Sequence, residues 1–249
     1  MLRTLAKPSG DRPGRKAWND FMTFIGQRED PSWMFRGVGN TAHHLLPKAG
    51  RPDCLTKSGY SLAFERRVFE NFKRRARTHT PLNGMTDWEM LALAQHHGLP
   101  TRLLDWTSNP LVAAYFAVVN QKADSPIDHE EAGIHSVQLT DKMLVNTGVT
   151  PDPFSIGDEV RFVIPSVNDA RLVSQKGFFT VHGNPDIPWE PPQKDIHLFR
   201  IPPDANGYFR QKLYYLGIDG AHIMADLDGL CQTLAWQYRN GIAVGKISY

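Results

Sequence analysis

The sequence predicts an α+β fold in which N-terminal helices pack on a mixed, mostly antiparallel sheet. Three observations carry that expectation. Apolar residues at helical intervals and helix start signals crowd the first half of the chain, while short runs with strand alternation or β-branched and aromatic enrichment fill the second. No internal repeat or low-complexity linker divides the chain into separate units. Hydrophobic residues make up 41% of the 249, enough to bury a substantial core and to exclude a disordered chain.

Residues 1–15 are rich in Pro, Gly and basic side chains and lack an apolar period, so a mobile arm is expected before a single domain over residues 16–249. Trp18 to Phe24 reads as a short helix, and Ser32 to Gly37 as a strand running into a Gly-containing turn, with Arg36 at the strand's end. Between Ser61 and Ala76, Leu62, Phe69, Phe72 and Ala76 fall at helical intervals, and Glu65 shares their face. An unpaired charge there is expensive, so Glu65 is expected either at the rim of the core or beside a cation such as Arg36 or Arg102. Thr86 and Glu89 have capping-box spacing, and the helix they open runs through Gln95, His96 and His97 before Gly98 and Pro100 stop it. Asn109 caps the next helix, with Pro110 at its first position and Leu111, Ala114, Tyr115 and Val118 as its buried stripe. Thr101 to Thr107, between the two, is a short strand or a loop held by rigid neighbours. Strands are then expected around His135, Val137 and Leu139, at 160–164, at 177–181 and at 196–201. Phe209, Leu213 and Leu216 predict a helix ending at Gly217, and Leu227, Leu230 and Leu234 a last helix started by Asp226.

A net charge of +2 with 22% charged residues gives no bulk electrostatic reason to expect nucleic acid or a membrane as partner. The two cysteines, Cys54 and Cys231, fit neither a disulfide framework nor a close-spaced zinc site. With no apolar run long enough for a signal peptide or a spanning helix, a reducing, cytoplasmic location is expected. The pairs His43-His44 and His96-His97 raise the question of a metal, but adjacent helical residues point about 100° apart and no His-x-x-x-His completes a set, so no metal is expected. Neither a Gly-x-Ser-x-Gly nor a Cys-His signature surrounds a nucleophile.

Two motifs point to a family. Phe35-Arg36-Gly37, and the run Gln95-His96-His97-Gly98-Leu99-Pro100-Thr101-Arg102-Leu103-Leu104-Asp105-Trp106-Thr107, resemble the signatures of the FRG-domain family; Glu65, Arg171 to Phe179 and Asp226 to Gly229 extend the resemblance over about residues 30–235. A further likeness, to the arginine-serine-glutamate class of ADP-ribosyltransferases, implies a split sheet that binds NAD. In that comparison Arg36 matches the strand arginine, and Asp105-Trp106-Thr107-Ser108 with the following helix matches the serine-threonine-serine strand. The third motif departs: Gln175 stands in the downstream segment instead of a glutamate pair, with Glu65 and Glu159 as substitutes. What the family keeps company with implies a role in bacterial conflict or phage defence.

The polar inventory has a chemistry of its own. Arginines hold phosphates through forked hydrogen bonds, aromatic faces stack on a base or nicotinamide ring, and a fixed hydroxyl orients a ribose. The expected site lies between the Arg36 strand and the Arg102–Thr107 segment. Arg36, Glu65, Thr107 and Gln175 are its catalytic candidates, and Arg102, Asp105, Gln95, His96, His97 and Tyr115 its ligand-binding ones. NAD or another anionic nucleotide is the expected ligand, and the protein target stays open. Two readings stand side by side: an NAD-using transferase or glycohydrolase, and a non-enzymatic module that senses a nucleotide, an anion or a partner's acidic segment. They separate on whether a carboxylate lies within about 4–6 Å of Arg36 or Thr107. A simpler reading makes Arg102 and Asp105 a structural salt bridge above a packed Trp106.

Overall fold

The structure, a computed structural model, describes residues 14–119, 130–164, 177–191 and 195–242. The arm expected at the N-terminus falls almost wholly outside the described residues, and so does Gln175. Six strands form one sheet in the order β4-β5-β2-β1-β3-β6. In chain order the elements are α1 (Arg15–Gly26), β1 (Trp33–Val38), α2 (Leu62–Ala76), α3 (Asp87–His96), β2 (Leu103–Thr107), α4 (Pro110–Val119), β3 (Ala132–Gln138), β4 (Val160–Val163), β5 (Gly177–His182), β6 (Ile196–Ile201), α5 (Asn206–Tyr215), α6 (Gly220–Met224) and α7 (Leu227–Arg239). Among the described residues every strand pairing is antiparallel, and a parallel contact occurs at the isolated bridge between Leu144 and Phe162. No helix among the described residues is long and apolar enough to cross a membrane.

Local chemistry places the helices where the pattern expects them. Thr86 and Glu89 close a reciprocal capping box on α3, Gly98 leaves it at φ 89°, and the Asn109 side chain accepts from Leu111 N–H at 3.0 Å to start α4. Strand alternation sorts the core into layers. Phe35, Leu103, Phe179 and Val181 point to the helical face, whereas Met34, Leu104, Trp106 and Phe162 point to a face covered by loops carrying Leu45, Leu144 and Trp189. On the helical face the apolar core is divided. One cluster joins α1, α4 and α5 to β1, β3 and β6; a second joins α2 and α3 to β2, β4 and β5.

The division coincides with the weakest seam of the sheet. β1 pairs with β3 over six positions and β2 with β5 over five, but β1 and β2 meet at Phe35 opposite Thr107 alone. Helix α4 lies directly over β1: a Cβ on Gly37 would stand 1.9 Å from the Ala113 carbonyl oxygen, so this glycine permits close approach of helix to strand and does not make the turn expected of it. β1 accordingly runs on to Val38, and Arg36 lies inside the strand, not at its end.

The last helix differs in which face it buries. Asp226 caps it as expected, but Gly229, Thr233, Trp236 and Gln237 are its buried residues, while Leu227, Leu230 and Leu234 face outward. Leu216, beyond the end of α5, is likewise exposed.

Candidate functional site

A cleft of about 950 Å³ opens over the β1–β2 seam, between α3, which contributes Ala92, Gln95 and His96, and α4, which contributes Ala113 and Phe116. Its floor holds Phe35, Arg36, Gly37, Asp105, Trp106 and Thr107, and the loop after β1 adds His43, His44, Arg51 and Asp53. A strand pair with full register would fill this space with its ladder; a single point of pairing leaves it open.

Arg36 sits at the centre. Its neighbour in register is His135 on β3, yet its guanidinium reaches back to the seam, where Nη1 donates to the Asp105 carbonyl oxygen at 2.5 Å and stands 3.9 Å from the Asp105 carboxylate. Burial pushes the Arg36 guanidinium down to about 10, the Asp105 charge opposes that and Arg51 adds to it, so Arg36 remains a cation at neutral pH. Asp105 is the carboxylate near Arg36 on which the two readings separate. It is well exposed, and it is held: Gln95 Nε2 donates to Oδ1 at 2.7 Å, and the Thr101 hydroxyl donates in turn to the Gln95 amide oxygen. The chain from Thr101 through Gln95 fixes the amide so that its N–H groups face the carboxylate. Thr107 is buried, and its hydroxyl accepts from Asn109 N–H at 3.0 Å.

Not every expected site residue lines this cleft. Glu65 and Arg102 form a separate buried unit. Arg102, 1% exposed, donates to Glu65 Oε2 at 2.7 Å and to the Tyr60 hydroxyl at 2.7 Å, Tyr60 donates to Glu65 at 2.6 Å, and the Arg102 guanidinium lies over the Phe154 ring. Burial, and then the hydrogen bond to Glu65, hold the Tyr60 phenol well above its ordinary range. Of the two outcomes expected for Glu65, the rim of the core or a cation, the second holds, with Arg102 as the cation, and the Arg102–Asp105 salt bridge of the simpler reading does not form because each has a nearer partner. Tyr115 faces the opposite way, into a small niche with Arg210, Tyr214 and Trp236, since α4 buries almost its whole circumference and Tyr115 takes the side away from the seam. His97 ends α3, stacked edge-on against His96, and is outside the cleft lining.

Arg51, Asp53 and the aromatic floor residue Phe179 are lining residues that the sequence reading did not select. Phe179 carries the signal of strand alternation, but Arg51 had none: it reaches the cleft because the Ala49 amide bonds the Thr101 carbonyl at 3.1 Å, a contact between segments remote in sequence. Two histidines lie on the loop face. His182 accepts or donates at Nε2 with Thr180 at 3.1 Å, and burial together with the charges of Arg36 and Arg102 pushes it down to about 3; His135 is held at about 4 by burial, Arg36 and Arg200. Both are neutral at physiological pH. Among the described residues no three His, Cys, Asp or Glu side chains gather as a metal-binding group.

The architecture defines a class: an antiparallel sheet with its helices on one face, and a polar cleft where the sheet nearly parts. The FRG domain family model matches residues 31–125, a span that holds β1, α2, α3, β2 and α4. Neither the curated proteins nor the solved structures yield a match. The downstream segments at 171–179 and 226–229 lie beyond the matched span.

Proposed function

We propose that the cleft binds a dinucleotide of the NAD type and cleaves its nicotinamide–ribose bond. The observation that carries this reading is the Asp105 carboxylate, held by Gln95 and standing 3.9 Å from Arg36 inside an open cleft. The lining mixes cations, Arg36 and Arg51, with carboxylates, Asp53, Asp105 and Glu130. A polyphosphate suits a uniformly basic site; a ligand with an anionic pyrophosphate and a cationic nicotinamide ring suits a mixed one. Arg36 and Arg51 take the pyrophosphate, and Phe35, Phe116 or Phe179 supplies a ring face. As the C1′–N bond breaks, its electron pair leaves with nicotinamide, which departs neutral. The ribose becomes an oxocarbenium ion, and Asp105 stabilises it by accepting from the 2′-hydroxyl. Water, or a hydroxyl or amine of a target, then bonds to C1′ and releases a proton. Glu65 acts in this scheme only through the scaffold, because its charge is spent on Arg102.

A second reading rests on one fact: Asp105 is already shared between Gln95 and Arg36, which suits a site that binds and senses a nucleotide without cleaving it. Calorimetry and nicotinamide release with the full chain separate the two. The cleavage reading expects Arg36→Ala to lose binding, and Asp105→Asn to bind NAD but release nicotinamide at least about 100-fold more slowly, the loss of one transition-state charge contact. Binding without turnover in the unaltered protein leaves the sensor; no binding of NAD at millimolar concentration overturns the reading.

A further inference from the structure

The net charge of +2 conceals an uneven distribution. Between Leu62 and Arg77, which are α2 and the residue after it, six arginines and lysines stand against two glutamates. The helix sorts them by flank. Arg66 pairs with Asp152 at 2.6 Å, Lys73 with Glu70 at 2.7 Å and with Asp87 at 3.1 Å, and Glu65 is held by the buried Arg102. At about 100° per residue Arg66, Lys73 and Glu70 lie within about 60° of one another, so this flank is neutralised. Arg67 and Arg74 project about 140–180° away from the buried Phe69 and Ala76, and Arg75 follows round the far side with Phe64 and Asn71. All five are exposed, Phe64 by 47%. Arg74 donates to the Asn71 amide oxygen, and the Arg67 guanidinium stands 5.9 Å from the centre of the Phe64 ring. Among the described residues no carboxylate pairs with Arg67, Arg74 or Arg75.

A basic last turn complements the helix macrodipole, which accounts for Arg74 and Arg75 but not for Arg67, two turns earlier. A cationic flank without counter-charges fits a polyanion, and its chemistry selects which one. Guanidinium groups fork onto phosphate oxygens. Arg67 and Arg75 are separated by about 12 Å along the axis, a spread that serves a strand of phosphates better than a single phosphate group. Phe64 presents its ring on the same side, a platform on which an unpaired base stacks and for which a paired duplex has no use. A membrane surface needs an apolar helix face to insert, and the apolar face of α2 is buried in the core through Phe69 and Ala76. We propose that this flank of α2 binds single-stranded nucleic acid, with Arg67, Arg74 and Arg75 on its phosphates and Phe64 against a base. No residue of α2 lines the cleft, so the surface does not depend on the ligand assigned there.

Fluorescence anisotropy of labelled oligo(dT) and oligo(U) of about 20 nucleotides, titrated with the full chain at about 50 mM salt, tests this and separates DNA from RNA. Binding is expected with a slope of log K against log salt near about −2, the value for three phosphate contacts on a single strand. Arg67→Gln, Arg74→Gln and Arg75→Gln together should weaken it about 100-fold and flatten that slope. Lys16→Gln, Lys212→Gln and Arg239→Gln remove the same charge from α1, α5 and α7, and should weaken binding by less than about threefold. Phe64→Ala should cost about tenfold and leave the slope unchanged, since stacking releases no counterion. None of these positions is buried, so the circular dichroism of each variant should match that of the unaltered chain. Absence of binding at about 100 μM protein overturns the proposal, because even non-specific phosphate contacts hold at that concentration. So does an equal loss in the two triple variants. Phe64→Ala without effect, or tighter binding of a duplex or of polyglutamate than of either single strand, refutes the single-stranded assignment.

Discussion

Replacing Glu65 by Gln tests how the buried polar unit contributes. The change preserves shape and removes one charge from a group whose partner, the Arg102 guanidinium, is 1% exposed. Arg102 keeps the Tyr60 hydroxyl at 2.7 Å and the face of Phe154, so its loss is partial, but its counter-charge is gone. Breaking a buried ion pair from one side costs about 3–5 kcal/mol, and the retained contacts put Glu65→Gln near the lower end, about 3 kcal/mol. For a domain of this size that lowers Tm by about 6–12 °C. Urea and thermal unfolding followed by circular dichroism measure it, with NAD binding determined on the same samples at a temperature where the variant is folded. The double variant Glu65→Leu with Arg102→Met, which leaves no buried charge, should be less destabilised than Glu65→Leu alone. An unchanged Tm combined with lost ligand affinity would refute the structural assignment and return Glu65 to the site.

Two further outcomes follow from packing and protonation. Gly37→Ala drives a Cβ into the Ala113 carbonyl, backbone that cannot yield without moving α4, and is expected to cost about 3 kcal/mol, read as a lower urea midpoint. His182, held neutral at about 3 by burial and by Arg36 and Arg102, takes up its proton more readily in the unfolded chain, so stability is fully present above about pH 6.5 and falls as the pH drops below that value. His182→Gln should flatten the difference in unfolding free energy between pH 7 and pH 4.5 by on the order of 2 kcal/mol; an identical slope in both proteins would show that His182 does not contribute.

The helices of the first half were legible because their signals are local: a capping box at Thr86 and Glu89, Pro110 after Asn109, Gly98 past the helix end. The strands at 160–163, 177–182 and 196–201 were legible from composition and alternation, and the burial cost of a charge narrowed Glu65 to the rim of the core or a cation, of which Arg102 is the one it meets. The sequence reading also brought the Phe35-Arg36-Gly37 strand and the Arg102–Thr107 segment together, and β1 and β2 do lie side by side.

What the tertiary structure decided concerns direction and closeness. An apolar stripe at helical spacing states that one face of α7 is different, not which face meets the core; Trp236 and the small residues Gly229 and Thr233 won that place because only a slim face fits against α6, where a Cβ on Gly229 would stand 2.3 Å from the Gly220 carbonyl oxygen. Tyr115 and His97 shared short motifs with cleft residues but were carried away from the cleft by the rotation of one residue to the next along a helix. The choice of Asp105 over Glu65 as the carboxylate beside Arg36 depended on a seam that pairs at one position, and the number of register positions two strands share is set by how the whole sheet twists and packs. Local sequence determines which residues are able to form elements and which charges need partners; only the assembled sheet determines which of those partners are within reach.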